Sequence, residues 1–276
     1  MKLPKPSLRM LSLLALALFG SGQAATFKPA DVSWVQLGLV ERPSLLAVPQ
    51  HCLYTQCALI VVSHPRGQTP ERLRHSPQFS RMTETLLQGR FAVLLSSDGG
   101  PLNWGSPKAL EEVGELHHEA LKVFDWNGHT YALGVSMGGL MALRSTLSGS
   151  PYSVRGLALI DPWVNLTAAW KSSETRQQEL LKAYGQPPSA ALNPLTLALA
   201  ERPIPLWVAS SPDDQVVPER QNAALLHSHA AAGYSQVRPL TGPHLGGNRF
   251  TPKVASSLLS FFQALEKHAP DDDAGQ

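Results

Sequence analysis

A serine between two glycines is the most reactive-looking position in this chain. Gly134-x-Ser136-x-Gly138 follows the apolar run of residues 129–135 and precedes a segment of helical character, residues 140–144. A strand that turns sharply into a helix holds the serine at a strained apex with its hydroxyl outside the sheet, and the two glycines leave room for the turn. The pattern therefore predicts a nucleophile elbow with Ser136 as the attacking group.

A serine hydroxyl is too weak an acid to ionise at neutral pH, so it needs a histidine base that is oriented by a carboxylate. Carboxylates follow two later apolar segments: Asp161 follows residues 154–160, and Asp213 and Asp214 follow residues 204–209. Four histidines lie beyond these carboxylates in the chain: His227, His229, His244 and His268.

The elbow, the Asp-x-Val-Val-Pro turn that begins at Asp214 and the loop around His244 together resemble the alpha/beta hydrolase family. The likeness extends from about residue 34 to about residue 265. It implies a mostly parallel central sheet flanked by helices, and the chain order nucleophile, acid, histidine. The resemblance favours Asp214 as the acid, and Asp161 and Asp213 remain the alternatives. It favours His244 as the base, because this histidine follows a strand candidate and precedes the last predicted helix.

Negative charge that develops on the substrate oxygen needs backbone N–H donors, and the resemblance implies two. The first is the N–H of Met137, directly after the nucleophile. The second comes from the loop after the third strand, where His64-Pro65-Arg66-Gly67 resembles the His-Gly signature of the family. Proline stands where glycine is usual and has no N–H to donate, so Arg66 is the candidate donor. His64 is expected to order the backbone of this loop.

Composition describes one globular domain. The 276 residues are 43% apolar and 16% charged, with a formal net charge of +2, which gives no reason to expect a nucleic-acid partner or a polybasic membrane surface. Serine hydrolysis requires no metal, and we expect no cofactor. The sequence does not specify an oligomeric state.

The first residues have the pattern of an export signal. Lys2, Lys5 and Arg9 precede the apolar residues 10–19, and a small-x-small site predicts cleavage after Ala24. The apolar run is shorter than the ~20 residues of a membrane-spanning helix. We therefore expect a signal peptide over residues 1–24, and a periplasmic or secreted domain over residues 25–276 that is not stably inserted in a membrane. The alternative is a retained amphipathic anchor.

Cys52 and Cys57 are the only cysteines in the chain. Export makes a disulfide between them the favoured interpretation. Metal binding is the weaker one, because two thiols with only His51 nearby do not complete a tetrahedral ligand set.

The remaining pattern alternates between strand and helix, as expected of an α/β domain. Strands are predicted over residues 35–40, 45–48, 57–63, 90–96, 129–135, 154–160, 204–209 and 236–240, and helices over residues 78–87, 108–123, 175–184 and 252–265. A capping box at Thr175 and Gln178 predicts the start of the third helix.

Two tryptophans are candidate substrate contacts. Trp104 lies in a glycine-rich loop after the fourth strand, and Trp163 begins a small cap insertion over about residues 162–202. For both, packing in the core is the alternative. The sequence as a whole predicts an exported serine hydrolase that cleaves small-molecule or polymer-end carboxylic esters. A peptidase, an acyltransferase or an inactive hydrolase-like binding protein are the alternatives.

Overall fold

A single mixed sheet organises residues 31–268, which are the residues that the computed structural model describes; the predicted signal peptide lies outside them. The described residues form eight strands: β1 (Val32–Leu37), β2 (Ser44–Pro49), β3 (Cys57–Ser63), β4 (Phe91–Leu95), β5 (Trp126–Val135), β6 (Leu157–Ile160), β7 (Leu206–Ser210) and β8 (Gln236–Pro239).

The strand order is β1-β2-β4-β3-β5-β6-β7-β8. β2 is antiparallel to both of its neighbours, and all pairs from β4 to β8 are parallel. The carboxyl ends of β3 to β8 therefore meet at one edge of the sheet, which is where ligands bind in open α/β sheets.

Helices cover both faces of the sheet. They are α1 (Pro70–His75), α2 (Pro77–Gln88), α3 (Pro107–Ala120), α4 (Gly138–Arg144), α5 (Leu166–Ser172), α6 (Glu174–Tyr184), α7 (Pro194–Ala198), α8 (Ala223–Leu226) and α9 (Pro252–Lys267). Strand β3 is buried at every position because alternate residues enter opposite cores. Ile60 packs with α2 and α9, whereas Leu59 packs with α3. The predicted fold class, a mostly parallel sheet flanked by helices, is confirmed.

Three short helices lie between β6 and β7. α5 and α6 pack on each other, and their apolar side chains join a cluster with Met137, the residue after the predicted nucleophile. α7 packs instead on α4 and belongs to the core beneath it. Only the first two helices therefore extend over the region around Ser136.

A disulfide joins Cys52 to Cys57 at the entrance to β3. Both cysteines are buried, and Cys57 N donates a backbone hydrogen bond to Asp125 O, 2.8 Å away, at the start of the β5 segment. The bridge therefore fixes the start of the central strand whose other end leads to the site. None of the helices within residues 31–268 is both long and apolar enough to cross a bilayer.

Several predicted bounds differ from the observed ones by up to three residues, and two of the differences have a clear local cause. β1 begins and ends three residues earlier than predicted, because Gly38 adopts φ +74° and turns the chain before Val40, which is 93% exposed. Helix α6 begins before the predicted capping box: Ser173, not Thr175, is its N-cap, and its side chain accepts a hydrogen bond from Arg176 N.

Candidate active site

Ser136 stands at the turn between β5 and α4, with φ of +52°, a conformation that costs a non-glycine residue free energy. Three backbone hydrogen bonds hold it there. Ser136 N donates to Ile160 O (3.0 Å), and Ser136 O accepts from Gly139 N (3.0 Å) and from Trp163 N (2.9 Å). The neighbouring strand β6 and the segment that follows it thus fix the backbone of the serine.

The glycines around Ser136 are explained by close backbone contacts. A Cβ at Gly138 would lie 2.2 Å from Ser63 O, and one at Gly134 would lie 2.7 Å from Gly138 O. The start of α4 therefore rests directly on the carboxyl end of β3. This contact brings the serine next to the loop that was expected to complete the oxyanion site.

The structure brings Ser136, His244 and Asp214 into one hydrogen-bonded line. Ser136 Oγ lies 2.9 Å from His244 Nε2, and His244 Nδ1 lies 2.6 Å from Asp214 Oδ2. A carboxylate only accepts hydrogen bonds, so the Nδ1 atom of the histidine carries its proton and the lone pair of Nε2 faces the serine hydroxyl. The serine proton thus has an acceptor within hydrogen-bond distance.

Asp214 is held as an anion by the turn that contains it. Burial opposes its ionisation, but the hydrogen bond with His244 and those from Val217 N (2.9 Å) and Val216 N (2.8 Å) outweigh burial and lower the pKa of the carboxyl. The apolar pair after Asp214 in the sequence thus supplies the backbone donors that fix the carboxylate.

The two alternative acids occupy other positions. Asp161 Oδ2 lies 4.0 Å from His244 Nδ1, but it accepts hydrogen bonds from Leu245 N and Arg249 Nε, both at 2.8 Å. Burial raises the pKa of the Asp161 carboxyl, and the Arg249 guanidinium opposes that shift. Asp213 Oδ2 accepts from Gly242 N at 2.9 Å, on the outside of the same loop. Both carboxylates therefore hold the loop around His244, which we call the histidine loop, rather than the imidazole of His244.

The other three candidate histidines lie elsewhere. His227 and His229 share one turn of 3₁₀-helix after α8, and the ring of His268, just after α9, lies 5.8 Å from that of Tyr234. Of the four candidate histidines, His244 is the one whose ring contacts Ser136.

Arg66 and Met137 are the expected oxyanion donors. Arg66 lies in the loop after β3 and Met137 lies at the start of α4, and these two segments are in contact at Gly138. The position of Arg66 is fixed on both sides: Gly67 N donates to Pro101 O (2.8 Å), and the Arg66 side chain forms an ion pair with Glu179 of α6. That ion pair is the largest cause of the lowered pKa of Glu179. Glu179 could not be predicted from the sequence, because nothing in its spacing links it to Arg66, which lies 113 residues earlier.

Trp104 and Trp163 are both buried, at 0% and 2% exposed. Their rings meet edge to face with centroids 6.4 Å apart, and Trp104 Nε1 donates to Glu179 Oε2 at 3.0 Å. The guanidinium of Arg176 lies 5.2 Å from the centre of the Trp163 ring. The two tryptophans thus connect the glycine-rich loop to α6, in the same cluster as Met137.

Two groups of residues in the described part of the chain have side chains of metal-binding types close together. The first is His51 with Cys52 and Cys57, whose sulfurs are bonded to each other and are not thiolates. The second is Asp161, Asp214 and His244, in which both imidazole nitrogens already have hydrogen-bond partners.

No protein-family model matches the sequence, and no curated protein is significantly similar to it. Solved structures, however, resemble the fold. Esterase B from Lactobacillus rhamnosis, in a structure with a tributyrin phosphonate inhibitor, has a TM-score of 0.64 at 16% identity, over 88% of this chain and 89% of that one.

Two other solved structures extend the comparison. An S-formylglutathione hydrolase from Agrobacterium tumefaciens has a TM-score of 0.58 at 15% identity, over 85% of this chain and 94% of that one. An acylaminoacyl peptidase from Pyrococcus horikoshii has a TM-score of 0.61 at 12% identity, over 84% of this chain and 41% of that one. At these identities the likeness concerns the fold, and this chain has the alpha/beta hydrolase fold.

Proposed function

We propose that this protein is an exported serine hydrolase that cleaves carboxylic esters through an acyl-enzyme on Ser136. One observation carries the proposal: a serine on a strained turn lies 2.9 Å from an imidazole nitrogen, and the other nitrogen of that ring lies 2.6 Å from a buried carboxylate. Nucleophile, base and orienting acid in hydrogen-bond contact are the arrangement that activates a serine hydroxyl.

In the first half-reaction, Ser136 Oγ attacks the ester carbonyl carbon while His244 Nε2 takes the hydroxyl proton. The imidazolium that forms is stabilised by Asp214. The N–H groups of Met137 and Arg66 donate to the oxygen as it becomes negative. When the tetrahedral intermediate collapses, its C–O bond to the alcohol breaks, the alcohol leaves with the proton from His244, and the acyl group remains on Ser136.

In the second half-reaction, water replaces the alcohol. His244 Nε2 takes a proton from the water as its oxygen attacks the acyl carbon, and then returns that proton to Ser136 Oγ. The carboxylic acid is released and the free enzyme is restored. Each half-reaction uses the same oxyanion donors, and such a donor is typically worth ~2.7–4 kcal/mol of transition-state stabilisation.

The surroundings of the serine favour small or slender ester groups. Ser136 is 5% exposed, and the side chains of Trp104 and Trp163 fill the space under α5 and α6. We therefore propose a small-molecule ester or the end of a polymer as substrate. Export rests on the pattern of residues 1–24 and is supported by the disulfide, which is typical of proteins outside the reducing cytosol.

The test is intact-mass spectrometry after treatment with a fluorophosphonate. We expect one adduct on the wild type and on Ser260→Ala, whose serine is exposed on α9, and none on Ser136→Ala. Absence of an adduct on folded wild type contradicts the proposal and leaves the inactive binding protein as the better interpretation.

A panel of p-nitrophenyl esters, thioesters and aminoacyl anilides then distinguishes an esterase from a peptidase. Added alcohol distinguishes an acyltransferase, because it would divert the acyl group from water. We expect short-chain esters to be cleaved with the highest kcat/KM.

A further inference from the structure

Two arginines and one glutamate form a group of charged side chains next to the two tryptophans near Ser136. Arg176 and Glu179 stand three residues apart on α6, so their side chains leave the helix on the same face. Glu179 accepts hydrogen bonds from Arg66 Nε at 2.8 Å and from Trp104 Nε1 at 3.0 Å. The three charged side chains therefore lie together, between the loop after β3 and α6. We call Arg66 and Arg176 the arginine pair.

The arginine pair is connected to the proposed nucleophile by short paths of contacts. The guanidinium of Arg176 lies 5.2 Å from the centre of the Trp163 ring, and Trp163 N donates to Ser136 O at 2.9 Å. Arg66 belongs to the loop after β3, which contacts the start of α4 at Gly138. A substrate whose carbonyl lies at Ser136 is therefore within reach of a guanidinium.

The charged group carries more positive than negative charge. Glu179 is one carboxylate for two guanidiniums, and both of its oxygens accept hydrogen bonds from Arg66. Within residues 31–268, the hydrogen-bond partner of the Arg176 guanidinium is Ser172 Oγ, at 2.8 Å, and no carboxylate forms an ion pair with it. Burial and the charge of Arg66 lower the pKa of Arg176, and Glu179 opposes that shift. Because a guanidinium keeps its proton in proteins, one net positive charge remains in the group.

The buried carboxylates near the serine do not supply the missing negative charge. Asp214 is hydrogen-bonded to His244, and Asp161 is hydrogen-bonded to Arg249. The two acids are only 3% and 1% exposed. The positive charge of the arginine pair is therefore left for a group that comes from outside the protein.

We propose that the arginine pair binds a carboxylate of the substrate, so that the preferred substrate is a short ester that also carries a free carboxylate. The inference rests on the proposed serine hydrolase and narrows its substrate class. The planar fork of a guanidinium matches the two oxygens of a carboxylate. The side chain of Arg66 is 44% exposed and accessible to a ligand. Contact with the Trp163 ring holds Arg176 in place before the ligand arrives, which reduces the entropy lost on binding.

A charged substrate also agrees with the small space beside the serine. The buried rings of Trp104 and Trp163 occupy the region under α5 and α6, so a long apolar chain has little surface on which to pack. A short substrate gains little affinity from apolar area, whereas a charge-assisted hydrogen bond does not depend on size. The arginine pair therefore supplies the affinity that a short ester otherwise lacks.

The test compares esters that differ in charge and resemble each other in shape. 4-Acetoxybenzoate and 4-methylphenyl acetate differ by a carboxylate on the alcohol side, and monomethyl adipate and methyl hexanoate differ by one on the acyl side. Hydrolysis is followed in a pH-stat at constant pH, and each kcat/KM is divided by the rate constant of the same ester with hydroxide. The readout is the ratio of the charged to the neutral ester. Both esters are measured on one sample, so partial unfolding of a variant lowers both rates alike and leaves the ratio unchanged.

Three variants give different expectations. We expect Arg176→Gln to lower the ratio about tenfold for the pair whose carboxylate reaches the guanidiniums. Glu179→Gln should raise the ratio, because it removes the negative charge that competes with the substrate. Lys182→Gln is the matched control: it removes one positive charge from an exposed position of the same helix and should keep the ratio of the wild type. Equal ratios in Arg176→Gln and Lys182→Gln for both pairs, or a lower ratio in Glu179→Gln, would overturn the inference.

A binding measurement separates this inference from the proposed function. Monomethyl adipate and 4-acetoxybenzoate are titrated by calorimetry into Ser136→Ala, and into the same protein with Arg176→Gln added. We expect the added substitution to weaken the binding of one of them about tenfold. Equal or undetectable binding in both proteins overturns the carboxylate site. If the wild type neither reacts with fluorophosphonate nor hydrolyses any ester, the proposed function fails, and the titration still decides whether the arginine pair binds a carboxylate.

Discussion

Replacing Asp161 by asparagine tests whether the histidine loop is held by a buried ion pair. Asp161 Oδ2 accepts from Arg249 Nε at 2.8 Å, and both side chains have 0% exposure. Asp161→Asn keeps the shape but leaves the guanidinium, which cannot lose its proton, without its counter-charge. Breaking such a buried pair costs about 3–5 kcal/mol. Because a domain has only about 5–15 kcal/mol of stability in total, the loss should be large.

Urea unfolding, followed by circular dichroism with the m-value held in common, measures the effect. The matched control is Asp213→Asn, because Asp213 is an exposed carboxylate on the same loop and accepts from Gly242 N at 2.9 Å. We expect the control to lose less than about 1 kcal/mol. A loss in Asp161→Asn no larger than that of the control would refute the reasoning.

Three further measurements test other buried groups. Burial lowers the pKa of His117 from 6.5 to about 4, so the unfolded chain binds more protons between these values and stability falls as pH drops through them. The loss of unfolding free energy reaches about 3 kcal/mol at pH 4. The unfolding free energy of His117→Gln should therefore depend less on pH than that of the wild type, and equal slopes of unfolding free energy against pH in the two proteins would contradict this. Glu179→Ala leaves the indole N–H of buried Trp104 without its partner and should cost about 1–3 kcal/mol in urea unfolding, whereas Glu179→Gln, which keeps an acceptor, should cost less than half as much. Removal of both Cys52 and Cys57, which stand five residues apart, should cost about 2 kcal/mol, and a reductant should then have no further effect on thermal unfolding.

Long, regular elements could be predicted from the sequence. β3 was predicted with its observed bounds because a continuous apolar run of this length describes a strand that is buried on both faces. α2 and α9 have apolar positions at helical spacing, and their predicted bounds lie within two residues of the observed ones. These elements carry their own signal in the spacing of apolar residues.

Short elements could not be predicted, because packing rather than local propensity stabilises them. α1, α5 and α7 have five to seven residues each, too few to form a stable helix alone. Residues 219–226 have the composition of one helix, yet the chain forms a 3₁₀ turn and the short helix α8, separated by Asn222. The side chain of Asn222 is committed elsewhere, since its Oδ1 accepts from Val164 N and Asn165 N at 3.2 Å.

The residues of the candidate site also include some that could be predicted from the sequence and others that could not. Ser136, Asp214 and His244 could be proposed from motif and chain order, and the structure places them in contact. The pairs around them could not, because Asp161 with Arg249 and Arg66 with Glu179 are separated by 88 and 113 residues. Pairings at such separations depend on the folded topology, and one sequence contains no local pattern for them.

Backbone strain at one edge of the sheet connects these pairs to the proposed chemistry. Among the described residues, six that are not glycine have positive φ, and five of them lie in loops beyond the carboxyl ends of strands around Ser136: Asp98, Trp104, Ser136, Asp161 and Leu245. Each costs about 1–3 kcal/mol and persists only where the surroundings hold it. Paired buried carboxylates add little net stability, so we explain their presence here by the backbone groups that they hold in position. Asp98 and Asp161 are themselves strained, and each accepts a hydrogen bond from a backbone N–H, at His64 and Leu245, in a loop that the proposed mechanism uses. Their hydrogen bonds thus hold the loop after β3 and the loop around His244 in place before substrate binds, which is the preorganisation that the proposed serine mechanism requires.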